Sequence, residues 1–141
     1  MTEIIIDGEN GVLGRLASFA AKQALLGKKV DIVNCEKVII LGREVEIVAR
    51  YKKNRARGGS GLAGPYIHSN PAKIMKSTIR NMLPFKKTRG RMALKRIKCY
   101  TGIPHEFNEK KMIKAGRGKK GTTLNHVSKM LEGGEQWKKK E

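Results

Sequence analysis

From residue 47 to residue 105 the sequence has no aspartate and no glutamate, across a stretch that holds fifteen lysines and arginines. A surface that only needs solubility mixes both signs. This absence therefore argues against an ordinary solvated face. Long apolar runs are missing as well. The longest, VIIL at 38–41, has the length of a strand, far short of the ~20 residues that span a bilayer. There is no basic amphipathic helix with Trp or Phe on its apolar side, and the one tryptophan, Trp137, sits in a charged tail. An anionic membrane surface is therefore the weaker candidate for a partner. Aromatic residues are only 5% of the chain, so the core must rest on Ile, Leu, Val, Met and Ala. Cysteine is scarce: Cys35 and Cys99 stand far apart, without a C-x-x-C pair or a histidine at metal-ligand spacing. That argues against a metal site and leaves one disulfide between them open in principle. Both are expected as reduced core thiols of a cytosolic protein. The opening MTEIIID lacks the basic-then-apolar pattern of a secretory signal.

What is present is positive charge, unevenly placed. The 141 residues carry 31 Lys and Arg against 12 Asp and Glu, a net +19. Residues 1–46 hold six basic and seven acidic groups, and residues 106–141 hold ten and five. The first third is thus nearly neutral, and the excess lies in the middle and the tail. Such asymmetry points to a polyanion, with nucleic acid as the leading candidate. Fifteen like charges also repel one another, which destabilises the fold until salt or a partner screens them. With 39% apolar residues the chain suits one domain, burying roughly two-thirds of its unfolded surface. The core is expected over about 3–107. A basic loop, a short helix and a tail are expected over 108–141.

The local patterns give an α/β alternation. EIIID (3–7) is a buried strand closed by Asp-Gly. VLGRLASFAAKQALLG places Leu13, Leu16, Ala17, Ala20 and Ala24 on one helical face. VDIVNC (30–35) and VIIL (38–41) read as strands, and 43–53 as a helix with Val45, Val48 and Tyr51 inward. NRARGGSGLAGP (54–65) has no period and reads as a loop. A helix follows, capped by Asn70 with Pro71 in its first turn, with Met75, Ile79 and Met82 inward. TRGRMALKR suits a short helix, IKCY (97–100) a late strand, and LNHVSKMLEGG (124–134) a short helix with Leu124, Val127 and Leu131 in register. Strand, helix and strand in so few residues imply a mostly parallel sheet covered by helices.

Two constellations compete for function. Glycines 8, 11 and 14 follow a strand and open a helix, as in a dinucleotide-binding turn. Their spacing is G-x-x-G-x-x-G rather than G-x-G-x-x-G, and Gly14 precedes Arg15-Leu16 rather than Lys-Ser/Thr. A tight strand-to-helix turn is the better reading, and a nucleotide-using α/β enzyme the rival. His68, His105 and His126 are scattered and suggest no nucleophile–base pair. The basic residues fall in three groups: Lys52, Lys53, Arg55 and Arg57; Lys86, Lys87, Arg89, Arg91, Lys95, Arg96 and Lys98; and Lys114, Arg117, Lys119 and Lys120. Glycine beside arginine lets backbone and guanidinium approach phosphates closely. No C2H2 finger, aromatic RNP motif or basic zipper is present. Folded RNA, read by shape and backbone, fits better than a DNA groove. A DNA-architectural protein is the second rival.

NMLPFKKTRGRMALKRIKCYTGIPHEF (81–107) resembles the signature of the large-subunit ribosomal protein L-thirteen family. IDGENGVLGRLAS (6–18) and IVNCEKVIILG (32–42) are similar to its two amino-terminal blocks, in order. GPYIHSNPAKI is most similar to the archaeal and eukaryotic branch. Asn81 stands where the family usually has glycine, and asparagine tolerates left-handed backbone. The resemblance implies a three-layer α/β/α domain around a mostly parallel sheet, with basic loop extensions. It implies a structural, non-enzymatic protein of the cytoplasmic large ribosomal subunit that supports assembly and translation. Its partners would be large-subunit rRNA and neighbouring ribosomal proteins, with no cofactor, metal, small-molecule substrate or membrane. The three basic groups become its RNA-facing residues.

Overall fold

The structure, a computed structural model, describes residues 2–56, 68–118 and 121–139, excepting the side chains of 55, 56 and 132–139. In chain order the elements are β1 (Glu3–Asp7), α1 (Leu13–Leu25), β2 (Lys29–Val33), β3 (Ile39–Ile40), α2 (Glu44–Ala56), α3 (Pro71–Met82), α4 (Thr88–Lys95), β4 (Ile97–Cys99), β5 (Ile113–Lys114), β6 (Thr122–Thr123) and α5 (Leu124–Lys139). Four strands form an all-parallel sheet in the order β4-β2-β1-β5. The α/β class and the parallel sheet agree with the sequence reading.

Strand alternation divides the core. Ile4 and Ile6 of β1, Val30 and Ile32 of β2 and Ile97 of β4 share one apolar cluster with buried residues of all five helices. The expected α1 face, Leu13, Leu16, Ala17, Ala20 and Ala24, is wholly buried there. A fully buried leucine such as Leu16 contributes about 2–3 kcal/mol relative to exposure. Ile5 and Val33 point the other way and meet Phe107, with Tyr100 and Met112 beside it. On this side the cover is the segment 100–112, folded around a 3₁₀ turn at His105–Phe107. The layers are therefore unequal: a thick helical one and a thin one built on a single turn.

Several local expectations need correction. Strand β3 does not join the parallel sheet. It pairs antiparallel with β6, Ile39 opposite Thr123 and Ile40 opposite Thr122. Val45 is 80% exposed, and Ile47 takes the inward place beside Val48. Met82 is also largely exposed, while Ile74 joins Met75 and Ile79 inside. Asn81 lies within α3 and is not among the positive-φ residues, so no left-handed tolerance is called upon there. The segment expected as an appendage reaches the core: β5 adds a sheet edge, and Leu124, Val127 and Leu131 enter the main cluster. Asn70 does cap α3, its side chain accepting from the Ala72 amide at 2.9 Å. Cys35 and Cys99 are free thiols. The contact with Cys99, then burial, pushes the Cys35 thiol far above its ordinary range, which leaves it unreactive.

The strands also carry buried carboxylates. Asp7 accepts from Asn34 Nδ2 and from the Glu9 amide, both at 3.0 Å, tying the ends of β1 and β2 together. Asp31 is different. It is 0% exposed, and neither carboxyl oxygen meets a donor. Burial, and then the neighbouring Glu3 carboxyl, hold its pKa above the ordinary aspartate value. The Asp31 carboxyl in turn lowers Glu3. A native pKa above the unfolded one means that the folded chain binds more protons in the window between them. Stability from Asp31 is therefore lost as pH rises through that window. Asp31→Asn should raise stability at pH 7 by about 1–2 kcal/mol, with the gain fading below about pH 4. Urea unfolding at both pH values checks this; a gain equal at both would refute it.

Candidate nucleic-acid interface

The most basic stretch, 82–100, is built as a loop pinned at both ends. Leu83 is buried and fixes its entry. The amide of Phe85 donates to the Leu83 carbonyl at 2.8 Å, and that of Lys87 to the Pro84 carbonyl at 2.9 Å. Lys87 then sits at the N-cap position of α4. Gly90 and Ala93 are the buried residues of α4 and turn it toward the core. Leu94 is half-buried beside them, while Lys86, Lys87, Arg89, Arg91 and Lys95 are all exposed, as is Lys98 on the edge strand β4. Among the described residues no carboxylate forms an ion pair with any of these six. The recorded pairs are Lys29 and Lys110 with Glu3, and His126 with Glu44.

Arg96 behaves differently from its neighbours. It is half-buried, and its Nη1 donates to the Ala24 carbonyl at 3.0 Å. It thereby closes the carboxyl end of α1 and holds β4 to the helical layer.

The second group stands on α2. Lys52 and Lys53 are exposed near its end, and the backbone of Arg55 continues the helix. Arg57 lies outside the described residues, as do Lys119 and Lys120. Of the third group, Lys114 is exposed on β5 and Arg117 lies just beyond, bridged to Gly11. Strands β4 and β5 are the two edges of the sheet, three strand spacings or roughly 14 Å apart. The structure does not merge the groups into one patch. It sets the 82–100 group and the Lys114–Arg117 group on opposite rims.

Three cations that sequence reasoning did not name belong beside the first group. Lys73, Lys76 and Arg80 line a cavity with Arg91 and Lys98. Their signal was available: they are spaced i, i+3 and i+7 on α3, on the side away from Ile74, Met75 and Ile79.

The glycine turn after β1 is a packing device. A β-carbon on Gly8 would meet Val38 at 2.8 Å, and one on Gly11 would meet Leu16 at 2.7 Å. Gly14 has open space around it. The amide of Val12, at the start of α1, donates to the Gly116 carbonyl at 2.8 Å. Gly116 itself packs on Arg15 and Leu16. The chain's own backbone thus occupies the position a pyrophosphate would need at that helix start. Among the described residues no cluster of three metal-ligating side chains occurs, and no helix is long and apolar enough to cross a membrane.

A parallel α/β scaffold whose rims, among the described residues, carry exposed cations without ion-pair partners defines a class: a strongly basic α/β protein. Comparison with known proteins narrows the class. The family model described as ribosomal protein L13 matches residues 1–106. The chain is 44% identical over 110 residues to the large ribosomal subunit protein uL13 of Methanosarcina barkeri, covering 77% of this chain and 78% of that protein. It is 40% identical over 133 residues to the protein of that name from Picrophilus torridus, covering 91% and 96%. With the one from Archaeoglobus fulgidus it shares 37% over 135 residues, covering 90% and 86%. The chain belongs to the ribosomal protein L13 family.

Gly90 gives a direct test of the loop. A methyl group there would fall inside the van der Waals shell of the Pro84 carbonyl, which is backbone and cannot rotate away. Gly90→Ala should destabilise the protein by about 1–3 kcal/mol, measured by urea unfolding. Unchanged stability would show that the loop is not held on α4 as described.

Proposed function

We propose that this protein is a structural constituent of the large ribosomal subunit, binding large-subunit rRNA and supporting subunit assembly and translation. It works in the cytoplasmic ribosome beside neighbouring ribosomal proteins, and it is not an enzyme. Family membership supports this, and so do the names of the relatives as large-subunit proteins. The observation that carries the RNA contact is the exposed, acid-free set Lys86, Lys87, Arg89, Arg91, Lys95 and Lys98. Lys52, Lys53, Arg55, Arg57, Lys114, Arg117, Lys119 and Lys120 extend it, and Arg96 supports it chiefly by holding β4.

The mechanism is electrostatic and geometric. The core holds cations at fixed spacing. Lysines displace counterions from phosphates, and arginine forks fix orientation. If ~8 phosphates are engaged, log affinity should fall against log salt with a slope of roughly −6. Arg89 and Arg91 lie on the exposed side of α4, and no acid among the described residues forms an ion pair with them. Arg89→Glu combined with Arg91→Glu should therefore weaken binding to large-subunit rRNA at least tenfold, while thermal stability holds or rises. Filter binding across a salt series, with a thermal melt, measures both. Undiminished affinity would remove this loop from the interface. Failure of the wild-type protein to co-sediment with large subunits through moderate salt would remove the function itself.

The nucleotide-enzyme reading loses its main support, because Gly116 fills the helix start such a ligand would need.

A further inference from the structure

The cavity beside the basic loop has a construction that phosphate contact alone does not require. It lies between α3, α4 and β4 and measures about 760 Å³, within the range of about 300–1,000 Å³ typical of sites for a single small molecule. Its rim is cationic: Lys76 and Arg80 from α3, Arg91 from α4 and Lys98 from β4. Its walls are apolar and aromatic, with Phe85, Leu94 and Tyr100 among them. A duplex backbone needs only a flat field of cations. An apolar hollow beneath such a rim suits a group that is anionic at one end and flat and weakly solvated at the other.

Arg80 strengthens this reading. Its guanidinium carbon lies 4.4 Å from the centroid of the Phe85 ring, so the cation is seated over the aromatic side chain. A guanidinium seated in this way offers a planar face as a stacking platform. Tyr100 stands at the sheet side of the same hollow, with its ring turned against Phe107 at 5.5 Å. No carboxylate among the described residues forms an ion pair with Lys76, Arg80, Arg91 or Lys98.

We infer that this cavity receives one unpaired nucleotide extruded from the bound RNA. Its base stacks on Arg80 and lies toward Tyr100, and its phosphate rests between Lys76 and Lys98. The inference rests on the RNA-binding reading above and adds what that reading lacks, a contact that distinguishes bulged from fully paired RNA.

Two RNA hairpins of identical stem test it, one carrying a single bulged 5-iodouridine and the other fully paired. The protein should bind the bulged hairpin roughly tenfold more tightly, the scale of one stacked base. Arg80→Lys keeps the charge and loses the planar face. It should abolish that preference and leave the salt slope unchanged, with any remaining loss of affinity shared equally by the two hairpins. Irradiation of the complex should join the iodouridine to Phe85 or Tyr100, read by peptide mass spectrometry. Equal affinity of the wild-type protein for both hairpins overturns the inference, as does a cross-link outside residues 68–100 that line the cavity, while the RNA-binding reading stands. If neither hairpin binds at low salt, both readings fall together.

Discussion

Repulsion among cations is the force this fold has to overcome. Fifteen basic residues and no acids lie between 47 and 105, and α3, α4 and β4 bring many of them close in space. What opposes the repulsion is one apolar cluster shared by β1, β2, β4 and five helices. Hydrophobic burial does not depend on salt as exposed charge does, so the scaffold stays set while the rims wait for screening. The acids that could have neutralised the rims are used elsewhere. Glu3 pairs Lys29 and Lys110, Asp7 joins the strand ends, and Glu36 accepts from the Gly102 amide at 2.8 Å. None of these carboxylates pairs with a rim cation, and the counter-charge for the rims has to come from elsewhere.

Much of the scaffold is legible in the sequence because its local signals are strong. The isoleucines of EIIID form a continuous apolar, β-branched run, and the α1 face repeats at 3.6 residues, so strand and helix follow from local pattern. The Asn70–Pro71 start of α3 is equally local, since capping involves neighbours only. The errors share a different cause. Val45 and Ile47 both fit an inward position on α2, and only the placement of α5 against that helix decides between them. Strand β3 has just two residues. Its partner lies more than eighty residues away, so no local pattern can tell a parallel neighbour from an antiparallel one. The second sheet face is covered by a turn around Phe107, a single aromatic that composition could not assign to a layer.

The candidate site shows the same division. Charge is visible in sequence, so the three basic groups can be named from it. Which cations are already engaged inside the molecule is not visible. Arg96 looks like its neighbours until its guanidinium is found on the Ala24 carbonyl. Lys110 looks equally free until its ammonium is found 5.4 Å from the Phe107 ring. Conversely, Lys73, Lys76 and Arg80 are diluted among apolar residues along the chain and gathered only by the helix.

That distinction bears on how such a protein recognises anything. A cation tied to its own fold is rigid and contributes position; a cation without an internal partner contributes charge. In the 82–100 stretch Arg96 is the one cation of the first kind, and the other basic residues are of the second. Leu83, the Gly90 contact with Pro84 and Arg96 hold the backbone, and the residues between them project outward. A flexible basic tail of equal charge would release as many counterions, but it would lose more conformational freedom on binding. Presenting the charges on a pinned loop, a short helix and a sheet edge reduces that loss. It also fixes their spacing, which a flexible tail of the same charge cannot do.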